Sequence, residues 1–504
     1  MDGDGQMESS GGPSPAPDST ARRRAGREPG KVGKVGLVSL GCPKNRVDSE
    51  ILLGELQRRG WKPVTDPDEA DTVIINTCGF IEEAKQESID AILDLAARKR
   101  EGHGEGGQGG RRLLVAGCMV QRYGEELARE IPEIDGFIGL DQLREVDRLV
   151  QLGGGPPPPS PAHLVFDHTA PRTLTTRGYA YLKVAEGCDN PCTFCAIPSW
   201  RGRFRSRTIE SLVDEARQLE ARGVQELCLI AQDTTRYGED LELGKHGLTR
   251  LVEALLARTD LPWIRFLYAY PTTLDEELLR LMGSEERFCS YLDMPLQHSH
   301  PEILKAMRRG GRAERYERIL ERARELAPDV FLRTTFIVGF PGETREHFDH
   351  LAGFVRRMRF DHLGAFVYSP EPGTPAAELA GRVPRHVARR RYEKLLALQE
   401  PISKGRRQRL VGRRLRVLVE GVCDETEHLL QGRHHGMAPE IDGRVLINDG
   451  RAPAGRFAEV EVSAAYADDL VAHIVGPEGV PGIEPALLAT EGMPTTRLTG
   501  TRAG

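Results

Sequence analysis

The sequence predicts an α/β chain in three parts: an N-terminal parallel sheet covered by helices, a central β/α barrel, partial or full, and a small C-terminal antiparallel β-barrel. Three observations carry this. Apolar strand patterns alternate with amphipathic helical ones from Lys34 to about Ser369, the mark of parallel sheets with helical crossovers. A Gly- and Pro-rich stretch at 152–161, LGGGPPPPSP, interrupts the alternation. After about Lys404 the pattern becomes short alternating strands between Gly, Asn and Asp turns. A chain of 504 residues, at roughly 100–200 residues per domain, has room for three cores.

Residues 1–32 are Gly, Pro, Ser and charge, and are expected to be a disordered tail. In the first domain, 33–150, VGLVSLG (35–41), DTVIINT (71–77) and RLLVAG (112–117) read as strands, each followed by a helical pattern, the third starting near Tyr123. The segment EGHGEGGQGG (101–110) reads as a flexible insertion, and 151–173 as a linker. The central domain, 174–403, offers six candidate strands at 179–187, 225–233, 263–270, 290–296, 331–340 and 362–369, with amphipathic stretches such as 208–223 and 343–359 between. Six βα units are too many for a flavodoxin-like sheet and suit a β/α barrel, whose chemistry sits at the C-terminal strand ends. Residues 404–476 (RLRVLVEGV, GRVLIN, FAEVEVSAAY) form the small barrel, and 477–504 a second disordered tail.

Composition narrows the function. A hydrophobic share of 39% and a charged share of 29% describe a globular chain. No run of 18 apolar residues occurs, so no membrane span is expected. The N-terminus lacks the apolar core of a secretory signal, so a cytoplasmic location is expected. A formal net charge of −6 leaves no global nucleic-acid footprint. Nine cysteines are too few for a disulfide scaffold, and in a reducing compartment grouped cysteines bind metal or do chemistry.

Six of them fall into two triplets. Cys188, Cys192 and Cys195 make a C-x3-C-x2-C run directly after a candidate strand. Three thiolates on one loop can hold a cubane iron–sulfur cluster and leave its fourth iron open. A structural zinc with a fourth ligand, or unmetallated thiols, are the alternatives. Cys42, Cys78 and Cys118 are far apart in sequence, yet each follows an apolar strand: VSLG-Cys42, IINT-Cys78, LVAG-Cys118. In a parallel sheet those strand ends share one edge, where open α/β sheets bind ligands. Cys228, Cys289 and Cys423 stand alone and read as core filler.

The GCDNPCTFC loop resembles that of radical S-adenosylmethionine (SAM) enzymes. In that superfamily the three cysteines hold a 4Fe-4S cluster whose open iron chelates SAM, and one electron cleaves SAM to methionine and a 5′-deoxyadenosyl radical. SLGCPKNRVDSE, NTCGFIEEAKQES and VAGCMVQRY resemble the N-terminal domain of methylthiotransferases, whose three cysteines hold a second 4Fe-4S cluster. The resemblance implies that one SAM methylates a sulfur carried on this auxiliary cluster. A second SAM supplies the radical that takes a hydrogen from the substrate carbon, which then captures the methylthio group. A flavodoxin-type electron donor is implied, and the sulfur donor stays open. By family position, Gln232, Asp233, Gln297 and Arg333 are candidate SAM contacts, with Gly339 of IVGFPGE letting backbone approach the adenosine. Each also suits ordinary hydrogen bonding at a barrel mouth. His298 and His300 read as solvated loop histidines near that mouth.

Methylthiotransferases divide between transfer RNA modifiers and a ribosomal-protein modifier. Residues 404–416 carry seven basic residues and no acid, but 417–476 carry eleven acidic against four basic ones. An acidic barrel suits a basic protein better than RNA. AQDTTRYG, LYAYPTT, YLDMPLQHSHPEILKAMRRG, YSPEPGTPA and APEIDG also look like the ribosomal-protein branch, where transfer RNA enzymes usually have Gln-Met-Asn after the first cysteine. The third domain resembles a TRAM domain. The resemblance spans about 34–475 and implies β-methylthiolation of an aspartate in protein S-twelve of the small ribosomal subunit. The Gly-rich insertion and the residues before APEIDG depart from the family pattern, both away from the cysteines. The competing readings are a transfer RNA adenosine methylthiotransferase, supported by the Arg-rich 404–416, and a ribosome- or RNA-binding protein with structural or redox-sensing clusters.

Overall fold

The computed structural model describes residues 32–101 and 111–475. The expected tails (1–32, 477–504) and the Gly-rich insertion (101–110) fall, but for Val32 and Glu101, outside the described residues.

The N-terminal unit is a parallel sheet of β1 (Lys34–Ser39), β2 (Lys62–Val64), β3 (Thr72–Thr77), β4 (Arg112–Gly117) and β5 (Gly136–Ile138), in the order β2-β1-β3-β4-β5. The helices α1 (Pro43–Arg58), α2 (Glu82–Glu101), α3 (Cys118–Glu130) and α4 (Val146–Leu152) connect and cover it. Every residue of β3 is buried, as expected of a strand with helices on both faces. The three strands expected from sequence are the central ones, and their ends are level: Ser39 pairs with Asn76 and Thr77 with Gly117. The edge strands β2 and β5 span three residues each, too short to show a period. Helix α3 begins at Cys118, not near Tyr123; Tyr123 is a kink inside it (φ −122°, ψ 20°).

The first two residues of the expected linker end α4; beyond Leu152 it contains no helix or strand, yet it is packed down. Gly155 bridges to Phe137 at the sheet edge, and Arg172 ion-pairs with Glu50 of α1 and with Glu215, both at 2.5 Å. It fastens the first unit to the second.

The central unit has six parallel strands, β6 (Tyr179–Lys183), β9 (Glu226–Ile230), β10 (Trp263–Phe266), β11 (Tyr291–Asp293), β12 (Phe331–Val338) and β13 (His362–Val367). A small antiparallel pair, β7 (Ala185–Glu186) and β8 (Arg205–Ser206), leaves the first of them. Sheets β10-β9-β6 and β11-β12-β13 meet through the bridge Ile264–Phe288, and among the described residues β6 and β13 do not pair. The barrel is therefore partial. Outside it lie α5 (Ile197–Arg201), α6 (Ile209–Ala221), α7 (Gly247–Arg258), α8 (Glu276–Ser284), α9 (Pro301–Ala306), α10 (Ala313–Leu326), α11 (Arg345–Met358) and α12 (Arg385–Arg407). Several start where sequence says they should: Thr208, Asp275 and Thr344 cap α6, α8 and α11 with side-chain oxygens on orphan N–H groups.

The C-terminal unit closes as β14 (Arg414–Cys423), β15 (Thr426–His434), β16 (Val445–Asp449), β18 (Leu470–Ile474) and β17 (Arg456–Ala465), in that order around the barrel. It is not wholly antiparallel, because β16 and β18 run parallel. Five strands cannot alternate in direction around a closed ring, so one parallel pair is unavoidable. The basic run 404–416 is not one element. It ends α12, passes a turn and begins β14.

Candidate active site

The first three cysteines converge. Cys42 is the N-cap residue of α1, Cys78 follows β3, and Cys118 opens α3, close enough for all three thiols to influence one another. Asn45, wholly buried, holds their loops together. Its Nδ2 donates to the carbonyls of Leu40 (3.1 Å) and Thr77 (2.7 Å), and its Oδ1 lies 3.3 Å from Cys118 Sγ. Close approach also needs glycine. Gly41 has φ +89°, and a Cβ there would lie 2.6 Å from Cys78 Cβ; Gly117 has φ +94°, and a Cβ there would strike Asn76 and lie 2.6 Å from the Thr77 carbonyl. Gly117→Ala is expected to cost more than about 2 kcal/mol and to lower iron bound after reconstitution well below that of the native chain; native-like iron content would refute this.

Burial, and then the other two thiols, push the Cys78 thiol far up, and burial raises Cys118 against the pull of Arg201. Three thiols that sense one another this strongly resist ionising unless a cation joins them.

The second triplet, Cys188, Cys192 and Cys195, lies on the loop between β7 and α5. The Asn190 N–H points at Cys188 Sγ (3.5 Å), and the Asn190 side chain donates to Asp233 (2.7 Å), which also accepts from Thr235. Burial pushes Cys188 up to about 11, and burial with its two neighbours pushes Cys195 up to about 12. Arg309 stands 3.7 Å from Cys192 Sγ.

The donor sets suit clusters better than a single ion. Among the described residues, two groups of His, Cys, Asp or Glu bring three ligand atoms within 4.8 Å of one another, and neither contains a cysteine. One tetrahedral zinc, with Zn–S of about 2.3 Å, would draw its sulfurs closer than that. The all-thiolate sets match the preference of iron–sulfur clusters. Cys228, Cys289 and Cys423 are buried apart from both triplets.

A buried ionic network spans the gap between the triplets. Arg201, at the end of α5 and six residues after Cys195, donates to Cys118 Sγ (3.0 Å), Asn45 Oδ1 (2.8 Å), Asp48 (3.0 Å) and Glu186 (2.9 Å). Lys183 joins Asp48 and Glu186 (2.8 Å to the latter). Although burial pushes Glu186 up, Arg201 and Lys183 hold its carboxyl far below the usual range. Charges so placed are stable only as a set. Nothing local marks Arg201 as a partner of Cys118; the RGRFRSR run reads as a basic stretch.

The residues expected to contact SAM have these partners within the protein. Gln232 donates to Glu186 (2.7 Å), and its own carbonyl oxygen is buried without a partner. Gln297 holds φ +69° and bridges to Phe336 of β12. Arg333 is held by Asp293 (3.2 Å) and by Asp442 of the C-terminal unit (3.3 Å). Gly339 (φ +78°) is explained by packing, since a Cβ there would collide with Ala388 of α12.

The APEIDG loop, 438–443, reaches into the barrel, which its sequence does not announce. Asp442 accepts from Tyr291 (2.6 Å) and Arg333, and Glu440 pairs with Arg46 of α1. The Asp442 side chain thus faces inward, while Asp424, Glu425, Glu427, Asp449, Glu459 and Asp468 remain exposed, as does Glu440 outside its ion pair.

His298 is not solvated. It is wholly buried, its Nδ1 accepts the His300 N–H (2.9 Å), and burial, with neighbouring His300 and His347, holds its pKa at about 3. An unfolded histidine titrates near 6.5, so below that pH the unfolded chain takes a proton the folded chain refuses. Stability from this group is full above pH 6.5 and falls with acidification, by about 2 kcal/mol between pH 7 and 5. His298→Asn is expected to flatten the pH-dependence of urea denaturation by that amount; an unchanged slope would refute it. His300 caps α9 through Nδ1, as its position before Pro301 allows.

Known proteins give this geometry its context. Residues 34–139 match the family described as uncharacterized protein family UPF0004, 182–355 the radical SAM superfamily, and 411–475 the TRAM domain. Among solved structures, the radical SAM methyltransferase TsrM from Kitasatospora setae superposes with a TM-score of 0.51 at 17% identity, covering 69% of this chain and 77% of its own, which shows a shared fold. A "Ribosomal protein uS12 methylthiotransferase RimO" from Anaeromyxobacter sp. (strain K) is 48% identical over 88% of this chain and 93% of its own. Proteins of the same name from Myxococcus xanthus (47%; 87% and 91%) and Geobacter sulfurreducens (46%; 88% and 98%) agree. Among the described residues no helix is long and apolar enough to cross a membrane. With identity at this level along nearly nine-tenths of its length, the chain belongs to the RimO family of radical SAM methylthiotransferases, enzymes that use an iron–sulfur cluster and SAM.

Proposed function

We propose that this enzyme methylthiolates the β-carbon of an aspartate in ribosomal protein uS12, in the cytoplasm, with electrons from a flavodoxin-type donor. The observation that carries it is the pair of three-thiol sites joined through α5 and Arg201, in a chain whose curated relatives bear that activity in their name. Cys188, Cys192 and Cys195 would hold one 4Fe-4S cluster and Cys42, Cys78 and Cys118 a second. When bound, these groups supply the one-electron cleavage of SAM and a site for the sulfur to be transferred, consuming two SAM per product.

The protein's own residues do the rest. Asp233 fixes the C-x3-C-x2-C loop through Asn190 and with Gln232 lines the mouth of the barrel where SAM is expected. Asn45 and Arg201 set the Cys118 sulfur. The APEIDG loop closes the barrel interior at the end where β11 and β13 begin, opposite the mouth, which keeps water away from a radical. The exposed acidic residues of the small barrel face a partner that is basic.

The test is anaerobic. The reconstituted, reduced chain is given SAM with either uS12 or unmodified transfer RNA, and products are read by mass spectrometry. A methylthio group on an aspartate of uS12 is the expected result; modification of transfer RNA alone would overturn the substrate and leave the chemistry standing.

A further inference from the structure

Two lysines are buried among the described residues. Lys183 is clamped by Asp48 and Glu186. Lys44 is 9% exposed and, among the described residues, has no carboxylate within ion-pair distance. Its Nζ meets the Ala231 carbonyl at 3.4 Å and the face of Tyr268, 3.5 Å from the ring centroid.

Both contacts lie at the C-terminal ends of barrel strands. Ala231 follows β9, and Tyr268 stands two residues past β10. Lys44, two residues after Cys42, thus extends from the N-terminal unit across to the mouth of the barrel. The receiving surface is built with care. Tyr268 adopts φ +66°, rare for an aromatic residue, and its N–H is held by Asp293 at 2.9 Å.

The carboxylates of this region are already taken. Glu186 and Asp48 bind Lys183 and Arg201, Asp293 binds Arg333, and Glu440 binds Arg46. Lysine is almost never buried unless paired, because an ammonium with one long hydrogen bond and a ring face has not recovered its hydration. Cys42, Glu186 and Asp293 are its acidic neighbours, Cys42 the strongest, yet among the described residues none of them hydrogen-bonds it; a further anion would meet it at the mouth of the barrel.

Resting on the reading of this enzyme as an aspartate methylthiotransferase, we propose that Lys44 binds the side-chain carboxylate of the target aspartate. A carboxylate on Lys44 fixes the adjacent β-carbon at the barrel mouth, within the reach of groups held by both triplets. The charge of the substrate, not only its shape, then selects it. SAM also carries a carboxylate, so the test separates the two sources.

Lys44→Met keeps the length of the side chain and strands no buried acid. It is compared with the native enzyme and Lys44→Arg on uS12 and on a uS12 variant with asparagine at the target position. The native enzyme is expected to prefer aspartate over asparagine by more than about 100-fold in kcat/KM. In Lys44→Met that preference is expected to fall below about tenfold, mainly through KM for uS12, with Lys44→Arg recovering part of it. Calorimetric titration of the reconstituted protein with uS12 should show a matching loss of affinity in Lys44→Met. Equal iron content and far-ultraviolet circular dichroism qualify the variant as folded. An unchanged preference and affinity would overturn the assignment, and so would a rise in KM for SAM alone, which would give Lys44 to the SAM carboxylate. A native enzyme that leaves uS12 unmodified would instead overturn the functional reading, and this inference with it.

Discussion

Replacing Cys42, Cys78 or Cys118 by alanine should abolish methylthiolation while SAM cleavage to 5′-deoxyadenosine stays measurable. Replacing Cys188, Cys192 or Cys195 should abolish both. Groups that merely orient metal ligands already cost 10–100-fold when removed, so loss of a ligand should exceed about 100-fold in product formed. The two triplets make the separation possible, since each has its own supporting loop: Asn45 for the first, Asp233 with Asn190 for the second. The measurement is parallel quantification of deoxyadenosine and modified uS12, with iron counted in each variant. Loss of deoxyadenosine in all six would mean that the N-terminal site is needed for the radical step itself. Retained thiolation in Cys42→Ala would remove that site from the chemistry.

Glu226→Ala should loosen the small barrel from the central unit, at a cost of about 3–5 kcal/mol. Glu226 opens β9 with no exposed surface, accepting from Arg265 of β10 (2.6 Å) and from Arg433 of β15 (2.7 Å). Both guanidiniums are themselves buried, so alanine would leave two cations in a dry interface with Glu420 as the remaining partner of Arg433. A thermal melt should show its first transition earlier by about 5–10 °C. Limited proteolysis should show faster cutting in the loop between β15 and β16. Unchanged melting and cutting would mean that apolar contacts such as the edge-to-face pair Trp263–Phe457, 4.6 Å between ring centroids, hold the units together unaided.

Much of the site was legible in the chain. VSLG-Cys42, IINT-Cys78 and LVAG-Cys118 repeat one local pattern, an apolar strand that ends in glycine or threonine and then cysteine. A parallel sheet must place such ends on one edge. The C-x3-C-x2-C loop needed no fold at all to be read. What the pattern could not show was which strands are neighbours. β1, β3 and β4 are adjacent and level only because the short strands β2 and β5 took the edges.

One reading failed for lack of distance information. His298 looked like a loop histidine because its neighbours in sequence are polar, but burial depends on the helices packed over it. The pairing of Arg333 with Asp442, 109 residues away in another unit, was equally out of reach of the sequence.

By itself, then, the sequence determined the alternation of strands and helices, the change of pattern near Lys404, and the position of all six cysteines at strand ends or on one loop. These are local properties, carried by side-chain period and turn chemistry within a dozen residues. The tertiary structure alone decided that the barrel is partial, that a ring of five strands holds one parallel pair, that the APEIDG loop enters the barrel 258 residues from its partner Tyr181, and that Arg201 and Lys44 bridge the units. Those contacts join residues whose local sequences carry no trace of each other. Buried charge must find its partner wherever the fold brings one, and no period in the chain records that choice.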